Sequence, residues 1–547
     1  MTIATFLFFT ALVAFATWWV TRGGGESTDE SYFLAGRSLT GVFIAGSLLL
    51  TNLSTEQLIG LNAAAFTEGL SVMAWEVVAG ISLVALALVF LPRYLKSGIA
   101  TIPQFFEERY GSGVRTLTTF LFVIAYMLIL LPFVLYLGAN GLSGMLELES
   151  RLNMTQIQTI WTVIIFIATV GGAYAIWGGL KAVAVSDTFN GAGLLIGGLM
   201  ITYFTLSTIA GEDGSLLTAL SLIADRDPDA FRSLGSADED VSWPTLITGV
   251  LLLNFFYWST NQQIIQRTFG AKNLAEGQKG VLLAAFFKIL APLILVLPGI
   301  AAAYLVATNP EFAERVGATT DGAANRAYGT LVVSVLPESL VGFFAAVVVG
   351  SILSTFNSVL NSSATLFSLD IYKKFIRPQA STHQAVLSGQ LCSFVVAVFA
   401  VIAAPTFFHG REEVFGFFQK LNGVYFIPIL AIMLVGLTNR TVDGMSALIT
   451  LIVGLTAMSI GTFLSGQSET EQGWVIGTFG SGYHFMGVVF LGLIVLQLVL
   501  GAVGFRRSTP YVQQDVGAVD LTPWKAAPYV GGGLILLAIS LYAVFAF

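Results

Sequence analysis

Charge is what this chain has least of. Only 10% of its 547 residues are Asp, Glu, Lys or Arg, where a soluble chain of that length carries about 25%. A surface so poor in charge is not kept in water, and a soluble globular class is excluded. Cysteine is nearly missing as well. The one cysteine, Cys392, lies in an apolar run, which excludes a disulfide framework and a cysteine metal site. His383, His409 and His484 are scattered near predicted loop edges and suggest no histidine-ligated metal. No basic stripe offers itself to a nucleic acid, and the net charge of -7 comes mainly from acidic loops.

What the chain has instead is apolar sequence, 55% hydrophobic with a mean hydropathy of +0.82. In lipid only helices and closed barrels satisfy every backbone group, and continuous apolar runs of about 20 residues read as helices rather than alternating strands. Hydropathy predicts about 14 spans, near residues 3–21, 41–63, 69–92, 116–143, 157–178, 182–208, 246–266, 280–306, 336–371, 384–404, 413–436, 445–465, 482–504 and 526–547. The first run, TIATFLFFTALVAFATWWV, carries its positive charges after it, whereas a secretory signal carries them before. It reads as a retained helix with its N-terminus outside. Seventeen Lys and Arg then fall in inward loops, Arg22, Arg109 and Arg267 among them, against six in outward loops including Arg411. The positive-inside rule supports that topology, with both termini extracytoplasmic. The long outward loops 209–245 and 307–335 are acidic, Gly/Ala/Ser-rich and too short for a catalytic domain.

A few ionisable residues remain inside spans: Glu56, Glu76, Asp187, Lys288 and Lys420. Each is costly there and usually faces a cavity or a partner. Helix bridging is the bland explanation for a single polar residue; five on five spans predict a shared polar site. The second span crowds Thr51, Asn52, Ser54, Thr55, Glu56 and Gln57 at its middle. The seventh does the same with Asn254, Ser259, Thr260, Asn261, Gln262 and Gln263. Such side chains give the backbone alternatives to helical bonding, so both spans are expected to be interrupted. With the first helix and loop (1–40) set aside, these spans open two five-helix sets, 41–208 and 246–436. The outward loop 209–245 lies between them and peripheral helices 437–547 follow. Broken helices at matching places of inverted repeats mark a midplane binding site. On the ninth span Ser351, Ser354, Thr355 and Ser358 fall on adjoining turns of one face. That face suits a hard monovalent cation, which takes oxygen ligands.

At YFLAGRSL (32–39), NLSTEQLIG (52–60), GIATIPQFFEERY (98–110), NQQIIQRTFGAKN (261–273) and LNSSATLFSLDIYKK (360–374) the chain resembles the solute:sodium symporter family. The likeness is greatest to its bacterial sodium/galactose and its sodium/glucose branches. The resemblance implies an all-α LeuT-like fold, with inverted five-plus-five repeats and peripheral helices. It also implies a sodium site made by the carbonyls of Leu50, Leu53 and Ser351 with the hydroxyls of Ser354 and Thr355. Sugar-site positions appear as Gln57, Glu76, Asn254, Lys288 and Gln419, with Tyr257, Trp258 and Asn261 on the inward side. Trp75 and Phe415 match outer-gate aromatics. A second sodium would take Asp187, Ser354, Asn357 and Ser358. Three positions depart from the pattern: Trp75 replaces a tyrosine, Ala79 a serine, and the family's TDxxQ reads SDTFN at 186–190.

The residues fit a sugar independently, because Glu76 accepts from hydroxyls, Lys288 donates, and Asn254, Gln57 and Gln419 do both. The expectation is a sodium:sugar symporter of a bacterial inner membrane, working by alternating access, with no obligate protein partner. A rival keeps the fold and carries a carboxylate, amino acid or polyol-like solute. A membrane sensor or membrane enzyme would carry a signalling domain or a metal or nucleophile constellation, and neither is evident. A channel suits helix breaks flanked by bulky aromatics less well than a carrier does.

Overall fold

Apolar runs fold as helices in a bilayer because each backbone group then bonds within its own segment. The computed structural model describes residues 2–21, 33–146, 148–212, 214–236, 241–318, 322–409, 414–465 and 473–546. Tyr32, Arg22 and Arg411 lie outside the described residues, as do the side chains of 2–3, 21 and 173–182. Among the described residues nine helices are long and apolar enough to cross a membrane. There are ten if Leu274–Leu290 and Pro292–Thr308, bent by 46°, form one span. Pro292 supplies that bend, since it lacks an N–H and crowds the preceding turn. Three shorter apolar helices add Ala4–Val20, Gly41–Asn52 and Gln156–Gly172. Helical geometry runs on between some of the expected spans. Gln156–Ala210, for example, is one 55-residue helical element covering two of them.

The elements that position the site are α1 (Thr2–Thr21), α2 (Gly41–Asn52), α3 (Asn62–Glu68), α4 (Ala74–Ala85) and α5 (Ile102–Tyr110). They continue with α6 (Ser112–Leu146), α7 (Gln156–Ala210), α8 (Leu251–Ser259), α9 (Gln262–Phe269) and α10 (Leu274–Leu290). The last two are α11 (Glu338–Ile376) and α12 (Val414–Thr438). Both expected interruptions are present. Leu53 leaves helical geometry at ψ 54°, and Ser54 N donates to Asn52 O at 2.7 Å. The chain then resumes as a wider helical turn over Glu56–Leu61 and runs into α3. Between α8 and α9, Thr260 (φ -133°) and Asn261 (ψ 117°) break the helix in the same way.

Three neighbours pack closely on α2. A Cβ on Gly280 would meet Gly41 O at 2.7 Å, so α2 and α10 touch backbone to backbone. A Cβ on Gly46 would meet Thr188 Oγ1 at 2.6 Å, which brings α7 equally close. Small residues permit such approaches between membrane helices. The third neighbour is α11, where Thr355 Oγ1 donates to Thr51 O at 2.9 Å.

Two arginines expected in inward loops are buried within the protein. Arg109, on α5, donates to the carbonyls of Gly436 (2.9 Å), Asn439 (2.6 Å) and Val442 (3.0 Å). It thereby satisfies carbonyls that the end of α12 leaves without helical partners. Arg267, on α9, is fully buried and bonds Gln263 O and Ser358 Oγ. Beside Arg109, α5 is tied down a second time, by Arg115 and Lys374 on Glu107, with Arg115 also paired to Asp370 on α11.

Candidate functional site: a closed polar cavity between two broken helices

The break after α2 turns its polar side chains toward α4, α8, α10 and α12. They line a small closed cavity with Asn52, Glu56, Gln57, Trp75, Glu76, Asn254, Tyr257, Trp258, Lys288 and Gln419 around it. Its volume is about 30 Å³, which is room for about one water. Lys288 is the centre of the charge arrangement. Its Nζ pairs with Glu76, donates to Asn52 Oδ1 and stands 5.6 Å from the Trp258 ring centroid. A buried cation is tolerable when it is paired and hydrogen-bonded in this way. Glu56 adds a second carboxylate. Its Oε2 has no hydrogen-bond partner among the described residues, and neither has Gln57 Oε1. Gln419 Oε1 accepts from Asn422, whose Oδ1 in turn faces the Tyr425 hydroxyl at 3.4 Å.

Trp75 separates this cavity from a larger one. Its ring meets Phe415 edge-on at 5.7 Å and Tyr483 at 6.1 Å. Beyond that lid opens a vestibule of about 350 Å³, lined by Gly60, Thr67, Glu68, Asn325 and Phe415 among others. Gly60 is glycine for a reason of space, because a Cβ there would lie 2.9 Å from the Phe415 ring. On the opposite side the way is closed by α9. Gln266 Nε2 donates to Phe33 O, Asn361 Oδ1 and Thr365 Oγ1 at 2.9–3.0 Å, and Gln266 Oε1 accepts from Ser362 at 2.9 Å.

The hydroxyl stripe of α11 does face the broken α2. Thr355 reaches Thr51 O, and Ser358 Oγ lies 3.4 Å from Thr51 Oγ1 and donates to Ser354 O at 2.6 Å. Ser354 is buried, with its hydroxyl toward the Asp187 carboxylate. Ser351 Oγ is bonded within its own helix to Val348 O at 2.9 Å. Leu50 and Leu53 are buried on either side of Thr51. Asp187 is fully buried on α7 and accepts from Ser47 at 2.6 Å.

Of the substrate positions read from the sequence, Gln57, Trp75, Glu76, Asn254, Tyr257, Trp258, Lys288 and Gln419 meet at the one cavity. Asn261 does not. It lies past the helix break, where its Oδ1 accepts from the Tyr126 hydroxyl at 2.5 Å. The five intramembrane ionisable groups do not share a single site either. Glu56, Glu76 and Lys288 do; Asp187 belongs with the hydroxyl stripe; Lys420 is half-buried outside the cavity lining. Asn357 points away from Thr51 and lines a separate cavity beneath α1. Asn52 and Asn422 were missed as site residues. The signal was available for both, since Asn52 sits in the crowded break and Asn422 follows Gln419 at helical spacing.

Two broken helices around a closed polar cavity, inside a bundle of membrane-crossing helices, define a multi-pass secondary transporter. The model of the sodium:solute symporter family matches residues 32–454, and the chain belongs to that family. Its coupling ion is sodium. It is 39% identical over 543 residues to the uncharacterised symporter YidK of Escherichia coli (strain K12), covering 99% of this chain and 90% of that one. It is 34% identical over 466 residues to a sodium/glucose cotransporter of Vibrio parahaemolyticus, covering 83% of each. In fold it matches a sodium-coupled sialic acid symporter, solved substrate-bound and outward-open, with a TM-score of 0.76 at 18% identity over 94% of this chain and 99% of that one.

Proposed function

We propose that the protein imports a small neutral hydroxylated solute, a monosaccharide first among them, together with sodium across a bacterial inner membrane. One observation carries this reading. The closed cavity presents the carboxylate oxygens of Glu56 and Glu76, the amides of Gln57, Asn254 and Gln419, and the Lys288 ammonium to a single small volume. Carboxylates accept from hydroxyls, ammonium donates, and amides do both, which is the mixed demand of a polyol ring. A carboxylate solute would meet two carboxylates against one lysine, a poor match in charge. The relatives add support, since their names include sodium/glucose and sodium/myo-inositol cotransporters, both for neutral polyhydroxylated cargo.

In this reading the inverted repeats are 41–208 and 246–436, the span count is 14, and both termini are extracytoplasmic. The vestibule then faces outward, with Trp75 and Phe415 as its inner lid and Tyr257 as the matching inward closure. Sodium is held by the carbonyls of Leu50, Leu53 and Ser351 and the hydroxyls of Ser354 and Thr355. A second ion would take Asp187, Ser354, Asn357 and Ser358, in competition with the Arg267 guanidinium already on Ser358. The test is uptake by proteoliposomes with and without a sodium gradient, against a panel of labelled sugars, polyols, amino acids and carboxylates. Sodium-dependent accumulation of a sugar or polyol is expected. Accumulation of a carboxylate or amino acid alone would transfer the assignment to the rival cargo.

A further inference from the structure

A cavity of about 320 Å³ lies between α1, α7 and α11, apart from the vestibule and from the closed polar site. Its walls are apolar: Phe9, Val13, Val170, Phe343, Ala346 and Val347. They run on without interruption into the outer face of the bundle, where Phe8, Leu12, Phe15, Val170 and Phe189 are exposed. In a chain that crosses a membrane that face meets lipid, so the cavity opens sideways into the hydrocarbon and not into water.

Its floor is different. Ser354 and Asn357 of α11 lie there, with Ser186 and Asn190 of α7. Asn190 is engaged with Ser186 at 3.3 Å. Asn357 is 99% buried, and its Oδ1 has no hydrogen-bond partner among the described residues. A buried amide oxygen left without a donor is costly, and in an apolar chamber it selects a guest able to donate to it. The Asp187 carboxylate, hydrogen-bonded to Ser354 on that floor, disfavours an anionic head.

We infer that this cavity is a binding site for a neutral single-chain amphiphile that enters from the bilayer, its hydroxyl head on Asn357 and its hydrocarbon chain along α1. The volume accommodates roughly ten groups of water's size, which fits an alcohol of about decanol's length. Ser354 and Asn357 are also the residues offered above to sodium, so the inference rests on that reading for its second half. An occupant that bonds Asn357 and crowds Ser354 weakens sodium binding from behind.

The test uses the full chain in proteoliposomes, a long-chain alcohol bearing a diazirine, and 1-decanol as competitor. Saturable labelling of α1 and α11 that 1-decanol displaces is expected. Ala346→Phe and Val13→Trp, which fill the cavity from the core side and from the peripheral helix, should abolish labelling while sodium-driven uptake persists. In wild type 1-decanol should raise the sodium concentration for half-maximal uptake at least threefold, and in both filled variants it should not. Labelling that does not saturate, or that survives both substitutions, would overturn the site. Saturable, displaceable labelling with an unmoved sodium dependence would overturn the link to sodium. Failure of the sodium reading itself shows separately, as an unchanged sodium dependence in Ser354→Ala without any alcohol present.

Discussion

The pairing of Lys288 with Glu76 lends itself to a cycle of substitutions. Both groups are fully buried, and Glu56 shares their cavity. Lys288→Met therefore leaves two carboxylates without the cation between them, and Glu76→Gln leaves Lys288 with Glu56 and the Asn52 carbonyl oxygen. Removing one partner of a buried pair costs about 3–5 kcal/mol, because the other charge stays in a medium that solvates it poorly. Replacing both by neutral groups of similar volume is often neutral or better. The double variant should thus regain most of the thermal stability that each single variant loses, read by temperature-dependent size-exclusion of the detergent-solubilised protein. Substrate affinity should not return with it. A hydrogen bond to a charged group is worth roughly 1.5–3 kcal/mol, about ten- to a hundredfold in the half-saturating solute concentration. Uptake by proteoliposomes measures that directly. A double variant no more stable than the worse single would refute the balance of charge. A double variant with wild-type solute affinity would remove the pair from the substrate site.

Ser354→Ala should raise the half-saturating sodium concentration about two- to tenfold, the worth of one neutral oxygen contact. Thr355→Ala should do the same and also lower stability, since it gives up the 2.9 Å bond to Thr51 O. Asp187→Asn should change the sodium dependence of uptake and of the reversal potential if a second ion is carried; a one-ion stoichiometry in wild type, unaltered in the variant, removes that ion. Glu107 is pushed up by partial burial, but Lys374 and Arg115 outweigh this and hold its carboxyl below its ordinary value of 4.5. Its stabilising contribution is complete above about pH 4.5 and fades as pH falls through the lowered value, so the difference in melting temperature between wild type and Glu107→Gln should shrink on acidification.

Much of this site was legible because lipid makes polar residues conspicuous. Thr51–Gln57 and Asn254–Gln263 stood out against apolar runs, and the chain breaks at Leu53–Ser54 and Thr260–Asn261, inside those stretches. Glu76 and Lys288, far apart in sequence, had no soluble alternative and do pair. What stayed hidden followed from geometry that composition does not carry. Arg267 follows a polar stretch and looks like a loop cation, yet α9 continues inward and carries it onto Ser358. Arg109 sits on a helix of mixed polarity, and nothing local announces that the end of α12 needs three donors there. Helix direction decides Asn357. It lies two positions on from Thr355 and, together with Ser354, lines the cavity beneath α1.

The two cavities on either side of Trp75 also say where selectivity must reside. The polar one, at about 30 Å³, admits no sugar as it stands; the vestibule, at about 350 Å³, has the room but few of the polar groups. A solute can reach Glu76, Lys288 and Gln419 only if the Trp75–Phe415 contact opens and the cavity expands around it. The lid therefore contributes to the energetics of binding as well as to access. An edge-to-face aromatic pair is worth about 0.5–1.5 kcal/mol beyond its buried area, so opening it is a modest step that a ring stacking on the freed indole can offset. Trp75→Ala removes both the closed lid and the stacking face. It should speed solute exchange through the vestibule and weaken solute binding by about tenfold, while the sodium dependence, proposed to be set on α2 and α11, stays put. Trp75→Tyr should restore binding, because it keeps a ring at the same edge. If Trp75→Ala shifts sodium affinity as strongly as solute affinity, the lid and the ion site are not separable in the way the geometry indicates.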